Sequence, residues 1–160
     1  MTDMETAQKM LREGDFTCVA CKGDRVHTDT RRGVRPLLDW LDNGVDLMGY
    51  TVADKVVGRG AAFLYRLLGV RSVYGAVMSV PAVKILRAGG IETSWGILAE
   101  GIRNREKTGP CPIEYCTAVT EEPEEAAMII RAELRRLSKN CHCEEGDSPT
   151  WQSVPLKVSY

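Results

Sequence analysis

The residues of this chain able to do chemistry are few: six cysteines, two histidines (His27 and His142) and a scatter of carboxylates. Cys18 and Cys21 have the C-x-x-C spacing of redox and zinc sites. The alternating residues around them predict a strand, in which side chains three apart point to opposite faces. Two sulfurs so placed do not share a metal, and both read as small core residues. Cys111 lies between Pro110 and Pro112, with Glu114 and Cys116 close behind. A thiol beside a carboxylate becomes nucleophilic if a cation such as Lys107 or Arg105 lowers its pKa. No histidine stands near it to serve as a base, so Cys111 and Glu114 read first as ligand-lining or structural residues. Cys141-His142-Cys143 crowds soft ligands together, but tetrahedral zinc sites use wider spacing, and the segment reads as tail. With two histidines so far apart, no Ser-His-Asp or Cys-His arrangement is proposed.

The strongest constellation is Asp54, Lys55, Gly58, Arg59 and Gly60, where a strand is predicted to give way to a helix. Ligands of open α/β sheets bind at the carboxyl ends of strands, and the free N–H groups of a helix N-terminus favour anions. A phosphate-bearing, nucleotide-like ligand would suit these residues. The plainer reading is that Gly58 and Gly60 let the helix press on its neighbours while Lys55 and Arg59 are a solvated stripe; Gly-x-Gly without a third glycine does not decide between them.

These residues need elements to hold them. Met4, Ala7, Met10 and Leu11 predict an amphipathic helix over residues 2–14, acting as a lid on the core. Two short extended runs around Lys22-Gly23-Asp24 predict a hairpin. Val34, Leu37, Leu38 and Leu41, with Pro36 early and Asn43-Gly44 late, predict a helix. A strand is expected at 47–53 and a helix over 54–69, with Val57, Ala61, Leu64 and Leu68 as its buried stripe. The run 70–78 predicts a strand, followed by a helix that begins at Ser79-Val80-Pro81 and runs through Arg87 to the Gly89-Gly90 break. A short strand is expected at 91–93, a helical turn at 95–102, a polar loop at 104–112, and a helix over 123–138. That last helix is acidic at its start and basic at its end, as its dipole favours. Residues 1–139 thus read as one domain and 140–160 as a tail, possessing a final strand at 154–160.

Four strings in register carry a family resemblance: RRGVRPLLDWL (31–41), VADKVVGRGAA (52–62), VYGAVMSVPAV (73–83) and TGPCPIE (108–114). They resemble the family called domain of unknown function 1893, over residues 14–135. The resemblance implies a cytidine-deaminase-like fold: a three-layer α/β/α sandwich whose mixed sheet is opened by a β-hairpin. The element order agrees with this α/β class. Zinc deaminases place H-x-E at one strand-to-helix junction and P-C-x-x-C at the next. The corresponding strings here are Ala53-Asp54-Lys55-Val56 and Ser79-Val80-Pro81-Ala82-Val83. Neither supplies the three protein ligands that an activated zinc-bound water needs. No metal, no cofactor and no zinc-dependent deamination is therefore expected.

Composition narrows the rest. The chain has 160 residues, one domain's worth, with 44% hydrophobic and 27% charged residues, enough to bury a core. Lys+Arg at 21 against Asp+Glu at 22 leaves a formal charge of -1, so no global field recruits DNA. No apolar run approaches the ~20 residues of a membrane span, and the acidic start is not a secretory signal. A cytoplasmic protein is expected. Its favoured role is a non-deaminase module that binds a nucleotide-like or phosphate-bearing ligand through Asp54, Lys55, Gly58, Arg59, Gly60, Cys111 and Glu114. The alternatives are a metal-free enzyme using Asp54, Glu114 or Cys111 as acid, base or nucleophile, and an oligomeric interaction domain docking through Trp151 and the tail.

Overall fold

The computed structural model describes residues 2–102 and 111–143, the last five through their backbone alone. The first helix, α1 (Asp3–Glu13), is started by Thr2, whose hydroxyl accepts from the Glu5 N–H (3.1 Å). It leads into the hairpin of β1 (Cys18–Lys22) and β2 (Arg25–Asp29), turned at Gly23 with φ of 61°. The elements α2 (Arg35–Asp42), β3 (Thr51–Val57), α3 (Arg59–Leu68), β4 (Ser72–Ser79), α4 (Val80–Ala88) and β5 (Glu92–Ala99) follow, then α5 (Pro112–Cys116) and the long α6 (Pro123–Cys143). The sheet order is β2-β1-β3-β4-β5; β1 runs antiparallel to both neighbours, and β3, β4 and β5 are parallel.

Burial shows the three layers. Val19, Cys21 and Ala53 point to a small core under α1, together with Ala7 and Leu11. Cys18, Ala20 and Val52 point the other way, into the main core with Leu37, Phe63, Leu64, Leu86 and Ile130 from α2, α3, α4 and α6. The mixed α/β sandwich opened by a hairpin is thus the fold, and α1 is the lid its sequence predicts. Cys18 and Cys21 lie in different cores on opposite faces of β1, as the alternation requires.

Four expectations need correction. The strand expected at 47–53 lies at Thr51–Val57, so Asp54 and Lys55 are in mid-strand and the helix begins only after Gly58. β3 sits between β1 and β4 and is covered on both faces, so it carries no period-2 signal, and Val57 at its end happens to fit the spacing of the true α3 stripe Ala61, Leu64 and Leu68. The helical turn expected at 95–102 is strand: β5 extends from Glu92 to Ala99, in register with the whole of β4. The stretch expected to be loop up to residue 112 gives way to α5, which starts at Pro112. Finally, α6 continues to Cys143. The side chains of Cys141, His142 and Cys143, the segment 144–160 with its expected strand, and Arg105 and Lys107 all lie outside the described residues.

Candidate functional site

At the carboxyl end of β3 the chain turns sharply into α3 at Gly58, and α5 packs on that turn. A Cβ on Gly58 would lie 2.7 Å from Glu114 Oε1 and 2.9 Å from Ile102 Cγ1; one on Gly60 would lie 2.4 Å from Ile113 Cγ2. Both glycines are therefore required for α5 to seat against α3. The seat is fastened by charge: the Arg59 backbone N–H donates to Glu114 Oε1 (2.6 Å), and the Ile102 N–H donates to Glu114 Oε2 (3.4 Å). Gly58 has no side chain with which to cap α3, so a carboxylate 55 residues downstream meets the positive end of the helix instead. Between these groups lies a cavity of about 20 Å³ lined by Gly33, Val56, Gly58, Cys111 and Glu114, among others. That is room for about one water molecule.

The seven residues singled out in the sequence divide by position. Gly58, Gly60, Cys111 and Glu114 line the cavity. Arg59 meets the site only through its backbone N–H on Glu114, while its guanidinium turns away to donate to the carbonyls of Thr117 and Thr120 (both 3.0 Å), tying down the start of the α6 approach. Lys55 is exposed and, by alternation from Asp54, lies on the α1 face of the sheet, away from the cavity. Asp54 lies beneath α3 in a separate polar chain. Tyr65 Oη donates to Asp54 Oδ2 (2.6 Å) and is 3.2 Å from Cys18 Sγ. The Val56 N–H donates to Asp54 Oδ1 (3.3 Å).

All three members of that chain are buried. Burial pushes the Asp54 carboxyl up to about 7 against the opposing pull of the Tyr65 hydroxyl and the Val56 and Lys55 N–H groups. Tyr65 and Cys18 are both raised, first by burial and then by the nearby Asp54 carboxylate. At that value the buried Asp54 carboxyl retains its proton through the acidic range and releases it near neutrality. Cys116, half-buried, is pushed up to about 11 by burial and then by Glu133, which makes it a poor nucleophile. Sequence reasoning missed Tyr65, Gly33, Ile102 and Ile113. Tyr65 was readable only as part of a buried helix, Ile113 lies in the five-residue α5, and Gly33 and Ile102 come from separate connecting segments.

Zinc does not fit these junctions. The first carries Gly58-Arg59-Gly60, with its helix end already met by Glu114; the second carries Ser79-Val80-Pro81-Ala82, whose one hydroxyl caps α4 by accepting from the Ala82 N–H (3.2 Å). Among the described residues, no three His, Cys, Asp or Glu side chains are grouped to hold a metal ion.

The profile of the domain of unknown function DUF1893 matches residues 6–134. The chain belongs to this family. A DUF1893 family protein from Thermotoga maritima has a similar structure, with a TM-score of 0.76 at 22% identity over 83% of this chain and 91% of that one. At that identity the likeness establishes the shared fold of this DUF1893 member. A diaminohydroxyphosphoribosylaminopyrimidine deaminase/5-amino-6-(5-phosphoribosylamino)uracil reductase, also from Thermotoga maritima, gives a TM-score of 0.40 at 18% identity, covering 72% of this chain and 40% of that one. Comparison with curated proteins gives no match. None of the described helices in this family member is long and apolar enough to cross a membrane.

Proposed function

We propose that this DUF1893 chain is a non-deaminase module that binds a small phosphate-bearing, nucleotide-like ligand at the β3–α3 turn and returns it unchanged. The observation that carries the reading is the Glu114 carboxylate on the Arg59 N–H. The N-terminus of α3 is open to an anion, and an anion of the protein's own occupies it. Because the space left over holds about one water, a phosphate enters by taking the place of Glu114, with α5 moving aside. Gly58, the Arg59 N–H, Gly60 and Cys111 would then face it; Asp54, bonded to Tyr65 beneath α3, and Lys55, exposed on the other face of the sheet, are given no contact with the ligand in this reading. Buried thiols such as Cys18 and Cys21 suit a reducing compartment, and the cytoplasm belongs to the same reading.

Calorimetric titration of wild-type and Glu114→Ala proteins with inorganic phosphate and nucleoside phosphates tests this. Saturable binding is expected, tighter in the variant because the competing carboxylate is gone, with circular dichroism confirming that the variant is folded. Binding absent from both proteins, or weakened in the variant, would overturn it. The alternative of metal-free acid–base chemistry has one observation in its favour, the Asp54 carboxyl raised to about 7. Chromatographic detection of a changed nucleotide after incubation would favour that alternative.

A further inference from the structure

One residue fastens both α5 and the turn that follows it. The Arg59 backbone N–H donates to Glu114 Oε1 (2.6 Å), and the Arg59 guanidinium reaches further along the chain to the carbonyls of Thr117 and Thr120 (both 3.0 Å). The single helical turn Thr117–Val119 is itself joined to α5, because the buried Thr117 hydroxyl donates to the Ile113 carbonyl (2.7 Å). Residues 112–119 therefore form one strap, in which the Glu114 carboxylate and the Thr117 carbonyl move together.

The guanidinium tie is unevenly made. Nη2, a nitrogen with two protons, serves three acceptors: the two carbonyls and, at 3.5 Å, the Glu121 carboxylate. Nε is buried and makes no hydrogen bond. The Arg59 side chain is 14% exposed and that of Glu121 is 81% exposed, so the buried cation is set mostly against neutral carbonyls. An unsatisfied buried donor is uncommon in native proteins and calls for an explanation. In water every N–H of the group finds an acceptor, so the guanidinium loses little by letting go. It also lies over the Phe63 ring (5.6 Å), a contact within α3 that survives when the carbonyls are released. What resists opening is then the packing of the buried Ile113 against Gly60.

We propose that the Arg59 guanidinium is the latch of this strap. While it grips Thr117 and Thr120, Glu114 is kept on the N-terminus of α3. When it lets go, residues 112–119 swing off together, and the Arg59 and Ile102 N–H groups lose their acceptor at once. The latch regulates the site proposed above and rests on that reading for what enters, but the opening itself needs no ligand. Arg59 is thus a positioning residue, whose side chain acts on the anion site through Glu114.

Amide exchange of the full chain without ligand, followed by NMR for the wild type, Arg59→Met and Arg59→Lys, tests the latch. The Ile102 amide is the readout, since it donates to Glu114 and not to a group that the guanidinium touches. Methionine retains an apolar stem and removes the donors, and the Ile102 amide is expected to exchange roughly tenfold faster, as the loss of a charged hydrogen bond gives. Lysine, with the charge but not the planar fork, is expected to fall between. The Ala62 and Lys55 amides, which donate to the Gly58 and Thr17 carbonyls (both 3.0 Å), are expected to keep their rates. An unchanged Ile102 rate in both variants would overturn the proposal. So would a rise that Ala62 and Lys55 share, read from the lysine protein if the methionine protein does not fold. Calorimetric titration with inorganic phosphate separates latch from ligand: several-fold tighter binding by Arg59→Met is expected, whereas no binding by any of the proteins, beside a selective rise at Ile102, would overturn the ligand reading and leave the latch standing.

Discussion

Replacing Asp54 by Asn removes a titrating proton from the core while keeping its shape, and the consequence for stability can be worked out. The Asp54 carboxyl is raised from 3.8 to about 7 in the folded chain. Between those two values the unfolded chain has released the proton and the folded chain retains it. Stability from this group is therefore full below pH 3.8, falls as pH rises towards 7, and is lost above it. Three pKa units at about 1.4 kcal/mol each give roughly 4 kcal/mol over the full span. Between pH 5.5 and pH 8.5 the loss is roughly 2 kcal/mol. In the Asn variant, Oδ1 still accepts from the Val56 N–H, and Nδ2 donates to Tyr65 Oη, whose own proton turns to Cys18 Sγ. Nothing in that arrangement ionises near neutrality. Urea unfolding of both proteins across pH 5.5–8.5 should show the wild type losing about 2 kcal/mol relative to the variant, and a carboxyl carbon-13 titration should place Asp54 near 7. Parallel stability profiles, or an Asp54 signal already ionised at pH 5, would refute the reasoning that burial outweighs the Tyr65 hydrogen bond.

Three further outcomes follow from the α3–α5 seat and the thiols. Gly60→Ala puts a methyl 2.4 Å from Ile113 Cγ2; the clash should cost about 1–3 kcal/mol in urea unfolding despite the better helix propensity of alanine, and Ile113→Ala should restore part of it. Glu114→Ala should cost roughly 1–3 kcal/mol, because the Arg59 and Ile102 N–H groups lose their acceptor, while Glu114→Gln, which retains one acceptor oxygen, should cost less by the same measurement. Cys116, raised to about 11 from 9.0, should have about a 100-fold smaller thiolate fraction than an unperturbed thiol at pH 7.5, and its peptide should label with iodoacetamide correspondingly slowly by mass spectrometry.

Elements that carry their own local signals were legible in the sequence. The helix α2 shows Pro36 early and Asn43-Gly44 at its end, α4 shows Ser79-Val80-Pro81, and the β1–β2 hairpin shows its glycine turn. The β3–α3 boundary was not, because a strand covered on both faces shows no alternation and Val57 fits the spacing of the helix after it. β5 hid because Gly96 and polar residues interrupt it, and because half of an edge strand faces water. At five residues, α5 is too short to show periodicity. Site residues fared similarly. Gly58, Gly60, Cys111 and Glu114 stood out by type and do meet at one cavity. The reason for the glycines was not visible, since the Ile113 and Glu114 side chains that crowd them come from more than fifty residues away. Tyr65 was equally hidden as the partner of Asp54, because the turn at Gly58 between them folds the helix back over the strand.

The cap on α3 has a kinetic consequence. Helices usually borrow their N-terminal acceptor from the adjoining residue, so the first amides become exposed when that end frays. Here the acceptor for the Arg59 amide belongs to α5, and the amide loses its partner whenever α5 lifts, even while α3 and the sheet stay intact. Its exchange with deuterated solvent should therefore follow the opening of one small helix rather than unfolding of the chain, and should be faster than that of the Ala62 amide, which donates to the Gly58 carbonyl within the same turn. One backbone proton thus reports how often the β3–α3 turn stands open to a visitor.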